Sequence, residues 1–191
     1  MALRADKRES ILTGALEVFA RDGYTRAGID VIAKESGVST RTIYNHFGDK
    51  ATLFQAVITA SSDRVAAGHM SVIDNYLRKV TDLEDDLTDL GVALVWDEEY
   101  VTHFALVRQI QADIDHIPPA AVDAWRDAGP LRVRRHLADR LTNLDGLNLD
   151  DPMLAAFHLM ALIGRDTSGG GRSTEEHVRA GVRVFLRGYL R

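Results

Sequence analysis

Apolar residues recur at i, i+3, i+4 and i+7 along most of the chain, and no β-branched alternating run of useful length interrupts them. Each such segment has one face to bury against another, so the sequence predicts an all-α protein. The first stripe, Ile11, Leu12, Ala15, Leu16 and Phe19, stops at Asp22-Gly23. A short segment with Ile29, Ile32 and Ala33 on one face ends at Ser36-Gly37, and Ser39 stands where an N-cap belongs, before Thr42 to Phe47. Gly48-Asp49 breaks the chain again, and Asp49 can cap a longer helix bearing Leu53, Phe54, Val57, Ile58 and Val65. Further stripes are Leu83 to Leu94, Val101 to Ile114, Ala120 to Asp127 and the basic run Leu131 to Leu144. Asp150-Asp151-Pro152 opens another helix, and Ser173 or Thr174 opens the last. In all, about nine helices are expected.

With 46% hydrophobic and 27% charged residues in 191, the chain can build a core and is not a disordered one. The absence of cysteine removes disulfides, thiolate nucleophiles and Cys-based zinc sites. No apolar run approaches the ~20 residues that span a bilayer, so no membrane partner is expected. Met1 to Ser10 is charged rather than apolar, unlike a secretory signal, and a cytoplasmic location is the default expectation. The net charge of -5 is uneven: the first 60 residues carry 8 Lys/Arg against 7 Asp/Glu, and the remainder 15 against 21. A nucleic-acid surface therefore belongs in the first third, as a local patch on a molecule that repels polyanions at long range.

The stretch Ile29 to Phe47 reads as helix, tight Gly-Val-Ser turn, helix. Gly37 suits the left-handed conformation that ends a helix, and Val38 can plug the angle between the two. Ile32, Ala33, Val38, Ile43 and Phe47 are expected to form a small core with Leu16 and Phe19. A helix that enters a major groove does so by its N-terminal turn, which places Thr40, Arg41 and Thr42 at base edges. Tyr44, His46 and Lys50 fall nearer the DNA backbone. A plain three-helix packing unit with a wet polar face would share this spacing. The DNA reading is favoured because no acidic residue occurs between Val38 and Gly48.

These residues resemble a known family. Gly23-Tyr24, then Ile29-x-x-Ile32-Ala33-x-x-x-Gly37-Val38-Ser39-x-x-Thr42-Ile43-Tyr44-x-x-Phe47-x-x-Lys50-x-x-Leu53, is similar to the N-terminal signature of the TetR/AcrR family of bacterial transcriptional regulators. The resemblance implies a helix-turn-helix domain, 1–48, followed by an effector-binding and dimerisation domain, 49–191. It implies double-stranded operator DNA, a small organic effector and a second copy of the chain as partners, with repression the commonest output. It places Thr40, Arg41 and Thr42 at bases and Tyr44, His46 and Lys50 near phosphates. More loosely, Tyr100 to Leu144, with Asp127-Ala128-Gly129-Pro130, is similar to the C-terminal domains of one branch of the family. The chain departs from the pattern at Ala27-Gly28, where many members carry two hydroxyl residues that cap the helix and touch phosphate; Thr25 or the Gly28 backbone is the available substitute. Arg41 stands where many members have a small residue, which makes the operator preference distinctive.

In the remainder, Trp96, Phe104, Arg108, Gln111, Trp125, Phe157 and Met160 are candidate effector-pocket residues, an apolar lining with polar handles. Plain core is the competing reading for the apolar ones. A two-fold, four-helix contact is expected from Met153, Phe157 and Met160 with Val178, Val182, Phe185 and Tyr189. The pair Glu99 and His103 and the group Asp113, Asp115 and His116 lack a further convergent ligand, so no metal is expected. Gly169 to Gly171 lacks phosphate-loop context and reads as a linker. With no cofactor fingerprint or catalytic constellation, no enzyme is expected. The reading is a ligand-responsive repressor releasing a palindromic operator. The alternative is a helical protein that binds a small molecule or partner without using DNA, and an activator would use the same residues.

Overall fold

The computed structural model describes residues 2–95, 100–164 and 173–190. In order the elements are α1 (Ala2–Arg26), α2 (Ile29–Glu35), α3 (Thr40–Phe47), α4 (Lys50–Tyr76), α5 (Leu83–Val95), α6 (Val101–Ala112), a short 3-10 turn (Ile114–His116), α7 (Pro119–Ala128), α8 (Pro130–Thr142), α9 (Pro152–Ile163) and α10 (Thr174–Tyr189). The chain is all-α: among the described residues the only β-type pairing is an isolated bridge between Leu147 and Leu190. Among the described residues there are ten α-helices, against about nine expected. Only Gly129 separates α7 from α8, the boundary that Gly129-Pro130 marks in the sequence.

Helix ends follow the sequence chemistry. Ser39 accepts the Thr42 amide hydrogen, Asp49 accepts that of Thr52 at 2.7 Å, and Asp151 accepts that of Leu154 at 3.0 Å. Ser173 and Glu176 form a reciprocal capping box at the start of α10. Gly28 caps α2 with no side-chain hydrogen bond, as the missing hydroxyls require. Inside α1, Gly23 adopts φ 75, ψ 170 and breaks the helix where Asp22-Gly23 was expected to end it.

The chain divides into two compact units. The first comprises Met1–Val65 and Glu99–Pro130, and is thus larger than the 1–48 stretch that holds the helix-turn-helix. The reason is that α1 is apolar on two sides. Its Ile11, Val18 and Phe19 share one core with Ile32 and Ile43 of α2 and α3, Leu53, Phe54 and Ile58 of α4, and Leu106 and Ile110 of α6.

The second unit comprises Ala66–Glu98 and Leu131–Arg191. Its core is built from Ile73, Leu87, Leu90, Leu137, Leu141, Leu159, Val178, Val182 and Phe185, with α10 packed on both α5 and α9. This overturns part of the expected dimer face: Val178 and Val182 are 0% exposed and Phe185 1%. They are the inward stripe of an amphipathic helix, and they are satisfied within the chain. Met153, Met160 and Tyr189 are half-buried against the same core, with the His158 Nδ1 to Tyr189 hydroxyl distance at 2.7 Å, whereas Phe157 is exposed. The expected basic strip on α8 is also divided. Arg140 donates twice to Asp74 of α4, beside His136 on the same oxygen, and Arg134 stacks over the Phe157 ring at 4.9 Å. The Asp74 carboxyl lies below its ordinary range chiefly because of the hydrogen bond from Arg140.

Candidate nucleic-acid interface

The turn between α2 and α3 is set by backbone chemistry. Gly37 takes φ 65, its amide reaches the Lys34 carbonyl at 3.2 Å, and the Val38 amide reaches the Ala33 carbonyl at 3.0 Å. That pair of bonds is a Schellman motif, with half-buried Val38 as its apolar contact. Behind the turn, Ile32, Ala33, Ile43, Phe47 and Phe19 are buried together and Leu16 is partly so, the small core read from the sequence. With Ile43 and Phe47 fixed inward, the opposite face of α3 turns outward.

On that face Arg41, Tyr44 and Asn45 are exposed, and Thr40, Thr42 and His46 are half-buried. Thr42 Oγ1 lies 2.9 Å from Ser39 Oγ, so its hydroxyl is engaged with the cap. Arg41 is an exposed guanidinium with five donors, the group best suited to bond a guanine edge in two places.

Thr25 and Lys50 are placed differently from the expectation that they meet phosphate. The Thr25 hydroxyl donates to Asp113 Oδ2 at 2.7 Å, and Lys50 Nζ donates to the Thr25 carbonyl at 3.2 Å. Lys50 also sits 4.9 Å from the Tyr24 ring centroid, and burial pushes its ammonium below the usual lysine range. The Thr25 hydrogen bond is the main reason the Asp113 carboxyl is held low, with His116 Nδ1 a further 2.8 Å contact. An anion therefore occupies the hydroxyl that a phosphate would need. The signal for this was Asp113 itself, distant in sequence and brought in by the docking of α6 on α1.

The residues expected to line an effector pocket are divided between the two units. Trp96 lies outside the described residues, as do Glu99 and Gly169 to Gly171. Phe104, Arg108 and Gln111 form the exposed face of α6, whose buried face is His103, Leu106 and Ile110. Two stripes compete on this helix, and the sequence reading followed the outer one. Trp125 packs partly buried on the first unit's core, while Phe157 and Met160 belong to the second unit. Sequence reasoning missed the buried polar residues Ser61, Ser62 and His103. Ser61 Oγ and His103 Nδ1 are 2.9 Å apart, and Ser62 is 0% exposed with no hydrogen-bond partner for its hydroxyl among the described residues. Burial of an unpaired hydroxyl is unfavourable and calls for a partner.

Comparison with known proteins agrees with this architecture. Residues 11–57 match the family model described as bacterial regulatory proteins, tetR family. The chain is 30% identical over 140 residues to the transcriptional activator FasR of Mycolicibacterium smegmatis, covering 66% of this chain and 62% of that one. It is 33% identical over 103 residues to the transcriptional repressor NicS of Pseudomonas putida, covering 53% and 46% respectively. The matched part is thus less than two thirds of either relative's length. A solved structure described as a TetR-family transcriptional regulator from Mesorhizobium loti superposes with a TM-score of 0.82 over 98% of both chains, at 29% identity. The Schellman turn, the inward Ile43 and Phe47, and a match that runs from α1 into α4 together make the assignment: residues 11–57 belong to the tetR family of bacterial regulatory proteins, and the whole chain is similar in fold to a TetR-family transcriptional regulator.

Proposed function

We propose that the protein is a dimeric, ligand-responsive transcriptional regulator that reads double-stranded DNA with α3 and acts as a repressor. The observation that carries the reading is the outward face of α3, with Arg41, Tyr44 and Asn45 exposed on a helix free of acidic residues. Thr40, Arg41 and Thr42 occupy its first turn, the part of a recognition helix that meets base edges, while Tyr44 and His46 flank it toward the backbone. Thr25 and Lys50 then act from behind, bracing the start of α4 against the end of α1.

Arg41→Ala is expected to weaken binding to the preferred duplex by about 1–3 kcal/mol and to relax preference at one base pair. Fluorescence anisotropy with the DNA upstream of the protein's own gene, against random duplex, measures this. An equal loss on both duplexes would make Arg41 a backbone contact. In the same assay Lys50→Ala is expected to lower the melting temperature while the salt dependence of binding stays unchanged. A smaller salt slope in that variant would return Lys50 to a phosphate.

Two copies are needed because one short helix contacts few base pairs, and half-sites about 34 Å apart require a two-fold partner. We assign that contact to the apolar residues that the fold leaves outside on the last two helices: Leu154, Phe157 and Ala161 of α9 with Val184 of α10. Sedimentation velocity is expected to show a dimer at micromolar concentration and a monomer for Val184→Glu; an unchanged dimer would place the contact elsewhere. For the effector, the buried Ser61–His103 pair and Ser62 supply polar handles within the first unit, and α4 runs from the first unit into the second. A small molecule bound there would release DNA through a coupling of about 1–3 kcal/mol. A compound that stabilises the protein yet leaves its DNA affinity unchanged would overturn the coupling. Repression predicts higher reporter expression when the gene is deleted; lower expression would make the protein an activator.

A further inference from the structure

The charged residues at the start of α1 are sorted by side. Asp6, Glu9 and Glu17 line one open groove with Glu35 of α2. Arg8 departs from that face: its guanidinium lies 5.5 Å from the centroid of the Phe47 ring, at the last residue of α3. The His46 and Phe47 rings are 6.2 Å apart, so Arg8, Phe47 and His46 stand together at the C-terminal end of the recognition helix. Arg8 is exposed, whereas Ile11 and Ala15 behind it on the same helix are buried in the core. The guanidinium is therefore held beside a ring of the rigid core while the residue stays open to water.

That position has a consequence for DNA. When the first turn of a recognition helix enters a major groove, its far end lies beside the sugar-phosphate wall. A guanidinium fixed there by a ring contact loses less freedom on meeting a phosphate than a free side chain does, and its planar fork suits phosphate oxygens. Asp6 and Glu9, the neighbouring acids on α1, line the groove toward α2.

We propose that Arg8 is a DNA-phosphate contact, clamping the backbone next to the C-terminal end of α3. This rests on the regulator reading and adds to it a second point of attachment, contributed by α1. Arg8 takes the place at the backbone that the sequence reading gave to Lys50 and Thr25, both of which the fold occupies internally.

The test is the salt dependence of binding of the full-length protein to a mixed-sequence duplex of about three helical turns. Each neutralised phosphate contributes about 0.9 to the slope of log affinity against log salt. Arg8→Ala is expected to reduce the slope by about 1.8, one phosphate for each copy in the dimer, so that between 50 and 200 mM salt its affinity falls about 12-fold less than the wild type's. Arg8→Lys is expected to restore the slope, and the melting temperature is expected to stay within about 2 °C of wild type. Arg8→Gln, which keeps a longer polar side chain without the charge, gives the same readout if the alanine variant fails to fold. An unchanged slope overturns the proposal, and a lowered melting temperature with an unchanged slope makes Arg8 a brace on Phe47. A wild-type protein that binds no duplex at low salt would instead overturn the regulator reading, and the Arg8 assignment with it.

Discussion

Phe54→Ala is expected to lose about 3–5 kcal/mol of stability and to lower the melting temperature by about 10 °C or more. Phe54 is 0% exposed in the first turns of α4, edge-on to Phe19 of α1 at 4.9 Å and tilted against Tyr24 at the same distance. Deleting the ring removes the transfer energy of a large apolar side chain and leaves a cavity walled by two aromatic neighbours that cannot both collapse into it. The loss has a functional side. Tyr24 is also the ring over which Lys50 sits, so loosening it frees the end of α1 from the start of α4. DNA affinity is then expected to fall at temperatures well below the melting transition, more steeply than Phe54→Leu would cause. Thermal denaturation followed by circular dichroism, with anisotropy on the same samples, measures both effects. A loss below about 1 kcal/mol would show that the aromatic cluster does not hold α1 and α4 together.

The helix-turn-helix was legible because every signal for it is local. Gly37 with Val38, Ser39 at a cap and the Ile43–Phe47 spacing each follow from residues a few positions apart, and the fold places them as that chemistry dictates. What could not be read was long-range. Thr25 is an exposed hydroxyl by sequence, and only the arrival of Asp113 from the end of α6 occupies it. The same docking makes residues 99–130 part of the first unit, which no boundary signal near residue 48 could announce. On α6 and α10 the difficulty was two apolar stripes on one helix. Periodicity says that a face is buried, but not which of two, and a buried His103 is recognisable only through its contact with Ser61. Arg8 was passed over because a lone arginine on an N-terminal helix has no local pattern; its meaning lies in the Phe47 ring beside it.

Gly14→Ala is expected to destabilise the protein by about 2–3 kcal/mol, although alanine is the better helix former by about 1 kcal/mol in an ordinary helix interior. The reversal comes from α2. A Cβ on Gly14 would lie 2.4 Å from Ser36 Oγ, 2.8 Å from the Ser36 backbone nitrogen and 3.0 Å from its Cα. The hydroxyl can rotate away; the nitrogen and Cα move only if the C-terminal end of α2 moves. That end carries the turn at Gly37, and the turn sets the angle at which α3 leaves it. The substitution is therefore expected to weaken DNA binding about equally on preferred and random duplexes, because it displaces the whole recognition helix rather than one base contact. Thr13→Ala, one residue earlier on the exposed side of α1, is expected to change neither property. A Gly14→Ala variant that melts higher than wild type would mean that α1 and α2 are not in backbone contact at this crossing, and the presentation of Arg41 would then have to be held by Phe19, Ile32 and Ile43 alone.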